Sequence, residues 1–206
     1  MFDAAQFLIF LSAAVLLALS PGPGMLYVLA RTLRGGRAAG FASSLGTALG
    51  GMAHVIAAAF GLSAVLARSA SAFLAVKYLG AAYLIYLGVQ TLRSGNLEPA
   101  ATKPEPQVKS PFWQGMVTEV LNPKTALFFL AFIPQFVNHG ARLVPQFLAL
   151  GAISVGLNTA ADVVIVMAAA PLARRLESSA VWRRRQRQAS GAALIGLGGY
   201  VASRSN

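Results

Sequence analysis

The sequence predicts an all-α polytopic membrane protein with six transmembrane helices arranged as a 3+3 inverted repeat, helices one and four being broken at proline motifs. Three observations lead there. The chain of 206 residues is 56% hydrophobic and 11% charged, with a mean hydropathy of +0.63, which leaves too few charges to cover a soluble globule of this size. Six apolar stretches, near 5–29, 41–67, 72–92, 112–137, 143–171 and 188–203, approach or exceed the roughly 20 residues that cross about 30 Å of hydrocarbon. Finally, Leu19-Ser20-Pro21 is echoed 102 residues later by Leu121-Asn122-Pro123.

In the first stretch, Pro21 and Pro23 remove backbone donors and release the carbonyls of Leu17 and Leu19. Asp3 stands where a signal peptide carries positive charge, and no small-x-small site precedes the break, so the segment is expected to be retained. The second stretch carries Gly36, Gly40, Ser43, Gly46 and Gly50 at near four-residue intervals, a pattern of close helix packing. After the third stretch, residues 94–111 hold Pro99, Pro104, Pro106 and Pro111 among mixed charges and read as an exposed cytoplasmic tether. Pro123 breaks the fourth stretch and frees the carbonyl of Glu119. The sixth, 16 residues long, reaches only about 24 Å and needs Arg187 and Arg204 to snorkel.

Leu84-Ile85-x-Leu87-Gly88 returns as Leu194-Ile195-x-Leu197-Gly198 at an offset of 110, which also carries Lys77 onto Arg187. The chain thus divides into a repeat at 1–93, the linker 94–111 and a second repeat at 112–206 within one transporter domain. With three spans each, the halves must be inserted in opposite orientation.

The net charge of +11 could suggest nucleic acid, but the positions of the basic residues argue for topology instead. With the N-terminus outside, 12 of the 17 Lys and Arg residues fall in inside loops, against Arg68, Lys77, Arg142 and Arg204 outside and Lys124 within a span. Both termini are therefore expected outside, and the basic run Arg183–Arg187 reads as an anchor near anionic lipid headgroups, with no nucleic-acid partner. The chain has no cysteine, which excludes disulfides and thiolate chemistry.

Ionisable groups inside spans are expensive and are functional candidates by default. Here they are His54, Glu119, Lys124 and Asp162. Glu119 and Lys124 could simply pair with one another as a structural ion pair. Alternatively, the two breaks meet near the midplane, where half-helix N-termini offer positive ends and the preceding halves offer bare carbonyls. A zwitterionic amino acid fits that arrangement. Its carboxylate would lie against the N-terminal amides and Lys124, and its ammonium against the oxygens of Ser20 and Asn122, with Glu119 or Asp162 as further partners. The expected substrate-binding set is Ser20, Pro21, Gly22, Pro23, Asn122, Pro123 and Lys124, with His54, Glu119 and Asp162 as proton-coupling candidates. Two rivals remain: a divalent metal-ion exporter, for which His54, Glu119 and Asp162 supply few ligands, and an intramembrane hydrolase built on Ser20 and His54 without a third partner. No catalytic residue, cofactor or bound metal is expected.

Ser20-Pro21-Gly22-Pro23-Gly24, the stretch from Gly40 and Gly46 to His54, Gly80-Ala81-Ala82-Tyr83-Leu84 to Gly88, and Asn122-Pro123-Lys124 leading to Phe128-Phe129 and Pro134-Gln135-Phe136 together resemble the LysE/RhtB family of amino-acid exporters. The likeness covers nearly the whole chain. It implies a bacterial inner-membrane efflux carrier, proton-driven, for amino acids such as threonine, homoserine, leucine or lysine, working in the lipid bilayer with a homodimer as one assembly. It also implies that Pro21, Pro23, Asn122, Pro123 and Lys124 form the functional core. Glu119 departs from the family pattern, where an amide is common, and a carboxyl there bears on substrate charge.

Overall fold

A computed structural model describes residues 4–62, 70–93, 110–138, 142–178 and 180–203. The described residues are almost entirely helical and contain no strand. α1 spans Ala4–Leu19 and α2 Pro23–Ala57, separated by the Ser20–Gly22 break; α2 runs into a π-helical turn at Ala58–Leu62. α3 spans Ala70–Arg93, α4 Pro111–Val120 and α5 Pro123–Leu127. A π-helical turn at Phe128–Phe132 and a 3-10 turn at Ile133–Phe136 extend α5; α6 (Leu143–Ser178) and α7 (Ala180–Ser203) follow. The linker at 94–109 and the basic residues Arg68, Lys103, Lys109 and Arg204 lie outside the described residues.

Among the described residues two helices, Pro23–Gly61 and Leu143–Ala169, are long and apolar enough to cross a membrane, and the pair Pro111–Val120 with Pro123–Phe136, bent by 46°, adds a third if it forms one span. The first of these is not a straight rod. Gly36 has φ +71° and ψ −175°, a conformation open in practice to glycine alone, and there α2 folds back on itself. Residues at matching distances on either side of Gly36 meet, to within one position: Thr32 lies against Gly40, and a methyl group on Gly24 would stand 3.7 Å from the Thr47 methyl. The two arms, 23–35 and 37–57, are thus an antiparallel hairpin with almost no loop. Apolar patterning leaves a gap between stretches ending at 29 and starting at 41; the structure fills it with helix because one glycine suffices for the reversal.

Other boundaries shift for local reasons. Pro111, read as the end of the linker, opens α4 instead, since its fixed φ and missing N–H suit the first helical turn. α7 is longer than the 16 apolar residues because the basic run lies on the same helix. Lys77, expected in an outer loop, is only 1% exposed within α3, its ammonium 5.4 Å from the centroid of the Tyr78 ring.

Glycines set the helix spacing. A methyl group on Gly50 would lie 2.6 Å from the Met116 carbonyl oxygen, and one on Gly115 would lie 2.5 Å from that of Ser43, so α4 rests backbone to backbone on the second arm of α2. The Tyr27 hydroxyl bonds the Pro111 carbonyl at 3.0 Å and ties the start of α4 to the first arm as well. Between α3 and α7 the contact is reciprocal. A methyl on Gly88 would meet Ile195 Cγ1 at 2.6 Å and the Gly191 carbonyl at 2.7 Å; one on Gly198 would meet Ile85 Cγ1 and the Ala81 carbonyl, each at 2.7 Å. Every partner in one contact is the other's shifted by the 110-residue offset seen in sequence.

The core is aromatic. Phe128, Phe132 and Phe136 fall on one face of the second half-helix, where Phe136 meets Phe10 of α1 at 5.6 Å and Tyr200 of α7 at 6.0 Å between ring centroids. On α1, Phe10, Ala14 and Leu17 turn inward at helical spacing while Leu8, Leu16 and Leu19 stay more than half exposed. Leu79 at 72% and Val164 at 65% exposure belong to the same outward surface, one suited to hydrocarbon rather than water.

Candidate functional site

Both proline breaks open on one cavity of about 40 Å³. It is lined by Ser20 and Gly22 from the first break, Gly24 and Met25 from α2's first turn, Thr47 and Gly51 from the second arm, Glu119, Asn122, Lys124 and Thr125 around the second break, and Asn158, Thr159 and Asp162 from α6. At about 10–15 Å³ for a water, this volume holds a few waters and nothing as large as an amino acid.

Each break exposes carbonyls, and the structure supplies their partners. Lys124 is 9% exposed; its ammonium crosses from the second break to the first and donates to the Leu17 carbonyl at 2.8 Å and the Ser20 carbonyl at 2.5 Å. Its stem passes over Gly22, where a methyl group would stand 3.1 Å from Lys124 Cδ. The Glu119 carbonyl accepts from the backbone N–H of Asn122 and from His54 Nε2, both at 3.0 Å. A carbonyl only accepts, so Nε2 carries the hydrogen. Two of the three carbonyls that the prolines release on sequence grounds, those of Leu17 and Glu119, are thus met by side chains from elsewhere in the chain; the lysine takes Ser20 rather than Leu19 as its second acceptor.

The Glu119 carboxylate is occupied locally. It accepts from Asn122 Nδ2 at 3.0 Å and from the Thr125 hydroxyl at 2.6 Å, and lies against Gly24 in the first turn of α2, a helix start that has no side-chain cap. Negative charge at that end is favoured by the helix dipole. Asn122 caps α5 through Oδ1, which accepts from the Lys124 N–H at 3.1 Å. Asp162, 6% exposed on α6, accepts from the Thr47 hydroxyl at 3.0 Å.

This geometry corrects parts of the sequence reading. Glu119 and Lys124 share the cavity without a direct ion pair, because each has nearer neutral partners. The Ser20 carbonyl and both ends of the Asn122 amide are already engaged, so neither stands as an unoccupied ammonium acceptor; the Ser20 hydroxyl, in a residue 3% exposed, is the oxygen there without a partner. Pro21, Pro23 and Pro123 shape the backbone and do not line the cavity. His54 stands behind it, stacked on Phe129 with ring centroids 6.2 Å apart and planes 8° apart, and reaches Glu119 rather than Ser20, which leaves the Ser20–His54 hydrolase pair unformed. Among the described residues no group of three His, Asp or Glu side chains converges to hold a metal ion.

Sequence reasoning misses Thr47, Thr125, Asn158 and Thr159. Asn158, Thr159 and Asp162 follow helical spacing on α6, a polar stripe that can be read outward from Asp162. Thr47 sits inside the glycine-rich run and is masked by its packing signal.

His54→Leu removes the donor to Glu119 and should lower the melting temperature of the detergent-solubilised protein by about 3 °C, the effect of about one hydrogen bond in a chain of this size. His54→Gln, which restores a donor, should recover most of that loss; equal melting of the two variants would count against the contact.

The model of the LysE type translocator family matches residues 15–205. A membrane protein of Bacillus subtilis named YrhP is 35% identical over 156 residues, covering 71% of this chain and 74% of its own. The homoserine/homoserine lactone efflux protein of Salmonella typhimurium is 31% identical over 180 residues, 87% of this chain and 84% of its own. A membrane protein of Vibrio cholerae is 29% identical across 98% of both chains. No solved structure matches.

Proposed function

The chain belongs to the LysE type translocator family, and from that premise we propose that it exports small amino acids or close derivatives, homoserine and its lactone foremost, across the bacterial inner membrane in exchange for protons. One observation carries this reading: both proline breaks line a single cavity, where Lys124 from the second break reaches the carbonyls of Leu17 and Ser20 at the first. Irregular backbone at membrane depth is tolerated where it lines such a site, and paired breaks in two halves mark the substrate position of repeat-built carriers. Lys124 is the group that meets the carboxylate of homoserine, which the lactone lacks; Glu119 and Asp162 balance the positive charge of the amine that both carry, and Asp162 is the proton carrier.

The reciprocal Gly88–Ile195 and Gly198–Ile85 contacts support two three-helix units in opposite orientation; six spans and both termini outside rest on the apolar stretches and the placement of basic residues. Alternating access follows if one unit rocks against the other. The cavity as it stands is too small for the cargo, so loading requires the breaks to part, and the Lys124 bridge between them is what must yield.

Export of homoserine and its lactone, followed as accumulation inside inverted membrane vesicles, tests the proposal; equal accumulation in vesicles with and without the protein would refute it. In the same assay Glu119→Gln should shift preference from the cationic toward the neutral substrate by about tenfold, the effect of one charge at close range. Unchanged selectivity would remove Glu119 from substrate discrimination.

A further inference from the structure

We infer that the carbonyls of Leu17 and Ser20 form a seat for a primary ammonium ion that Lys124 occupies from within, so that a ligand amine and the lysine are alternative occupants. The inference rests on the exporter reading for the identity of that ligand, but its geometry stands apart from it. Lys124 Nζ lies 2.8 Å from the Leu17 oxygen and 2.5 Å from the Ser20 oxygen. The Leu17 oxygen also accepts the Ser20 N–H at 3.2 Å, and both oxygens can take the ammonium because Pro21 withholds its N–H from Leu17 and α1 ends at Leu19. The C-terminal end of a helix favours a cation.

An ammonium has three donors, and two are used here. The Ser20 hydroxyl is buried, has no partner and makes no hydrogen bond to the lysine, and its residue lines the cavity beside these carbonyls. Gly22 keeps the approach open, since a methyl there would already crowd the lysine stem at 3.1 Å. Lysine is held by its own chain, so it returns whenever the seat is vacated. A substrate carrying both an amine and a carboxylate has the means to exchange with it: its carboxylate draws the lysine ammonium away while its amine takes the two carbonyls.

The test uses the purified protein and no transport. Lys124→Ala removes the equivalent of n-propylammonium. Addition of n-propylammonium chloride at about 100 mM should raise the melting temperature of that variant by about 3 °C and that of the unmodified protein by under about 1 °C, with tetramethylammonium, which has no N–H, inactive in both. Should Lys124→Ala not fold, Lys124→Met fills the stem and leaves only the position of Nζ, and there ammonium chloride should stabilise more than potassium chloride. Equal shifts with N–H and N–H-free ions, or equal shifts in variant and unmodified protein, would overturn the seat. Stabilisation without homoserine export would retain the seat and discard the exporter reading; export without stabilisation would do the reverse.

Discussion

Asp162→Asn protein is expected to carry substrate down its gradient and to fail at concentrating it. The carboxyl is buried, holds only the Thr47 hydroxyl, and shares its cavity with Glu119 and Lys124, while His54 faces the far side of the Glu119 backbone. Of the two acidic groups there, Glu119 is fixed by Asn122, Thr125 and the start of α2, and is poorly placed to change state during a cycle. Asp162 has a single hydroxyl partner and stands on a different helix, so it can gain and lose a proton without dismantling a break. One charge moving through 100 mV supplies about 2.3 kcal/mol, between tenfold and a hundredfold of accumulation for a neutral zwitterion. An amide cannot carry that proton. In inverted vesicles with an imposed proton gradient, the ratio of inside to outside substrate should fall from tens to about one, while exchange of labelled for unlabelled substrate persists. Undiminished accumulation would exclude Asp162 as the coupling group.

Gly46→Leu should prevent stable folding. A side chain at Gly46 meets the Phe112 carbonyl oxygen, with the carbonyl carbon at 2.9 Å and the Met116 nitrogen at 3.0 Å. These are backbone atoms of α4 and cannot swing aside, so the helices must separate. Separation would also pull Glu119, about two turns further along α4, away from His54 and from Gly24, dismantling the second break. Overpacking alone costs about 1–3 kcal/mol, and the lost polar contacts add to it. The expected result is loss of the monodisperse peak in detergent gel filtration. By contrast, Gly156→Ala on α6 should behave as the unmodified protein, since nothing lies within 4 Å of the added methyl.

Much of the site is legible in the sequence. Prolines announce missing donors, so the carbonyls of Leu17 and Glu119 can be named from residue order, and an ionisable residue in an apolar stretch advertises itself whatever it touches. The tight glycine face on the second stretch is likewise readable, because small residues at four-residue intervals leave few alternatives. The hairpin at Gly36 is not. Glycine with a positive φ looks in sequence like any glycine of a packing stripe, and only the reversal of the chain distinguishes them. Thr47, Asn158 and Thr159 are equally hidden, since hydroxyls and amides in helices usually bond their own backbone, as Thr159 and Asn158 do here in part.

By itself the sequence determined the membrane character, the two interruptions, the short roster of charged groups and the 110-residue echo. All of these depend on what a segment contains. The tertiary structure alone decided the pairings: Lys124 with Leu17 and Ser20, His54 with the Glu119 carbonyl, Thr47 with Asp162, and the absence of a Glu119–Lys124 ion pair. The reason is physical. A segment's own donors and acceptors fix what it lacks, but which distant group makes good the deficit is settled by how closely helices approach, and that distance is set jointly by glycines and side chains scattered across the whole chain.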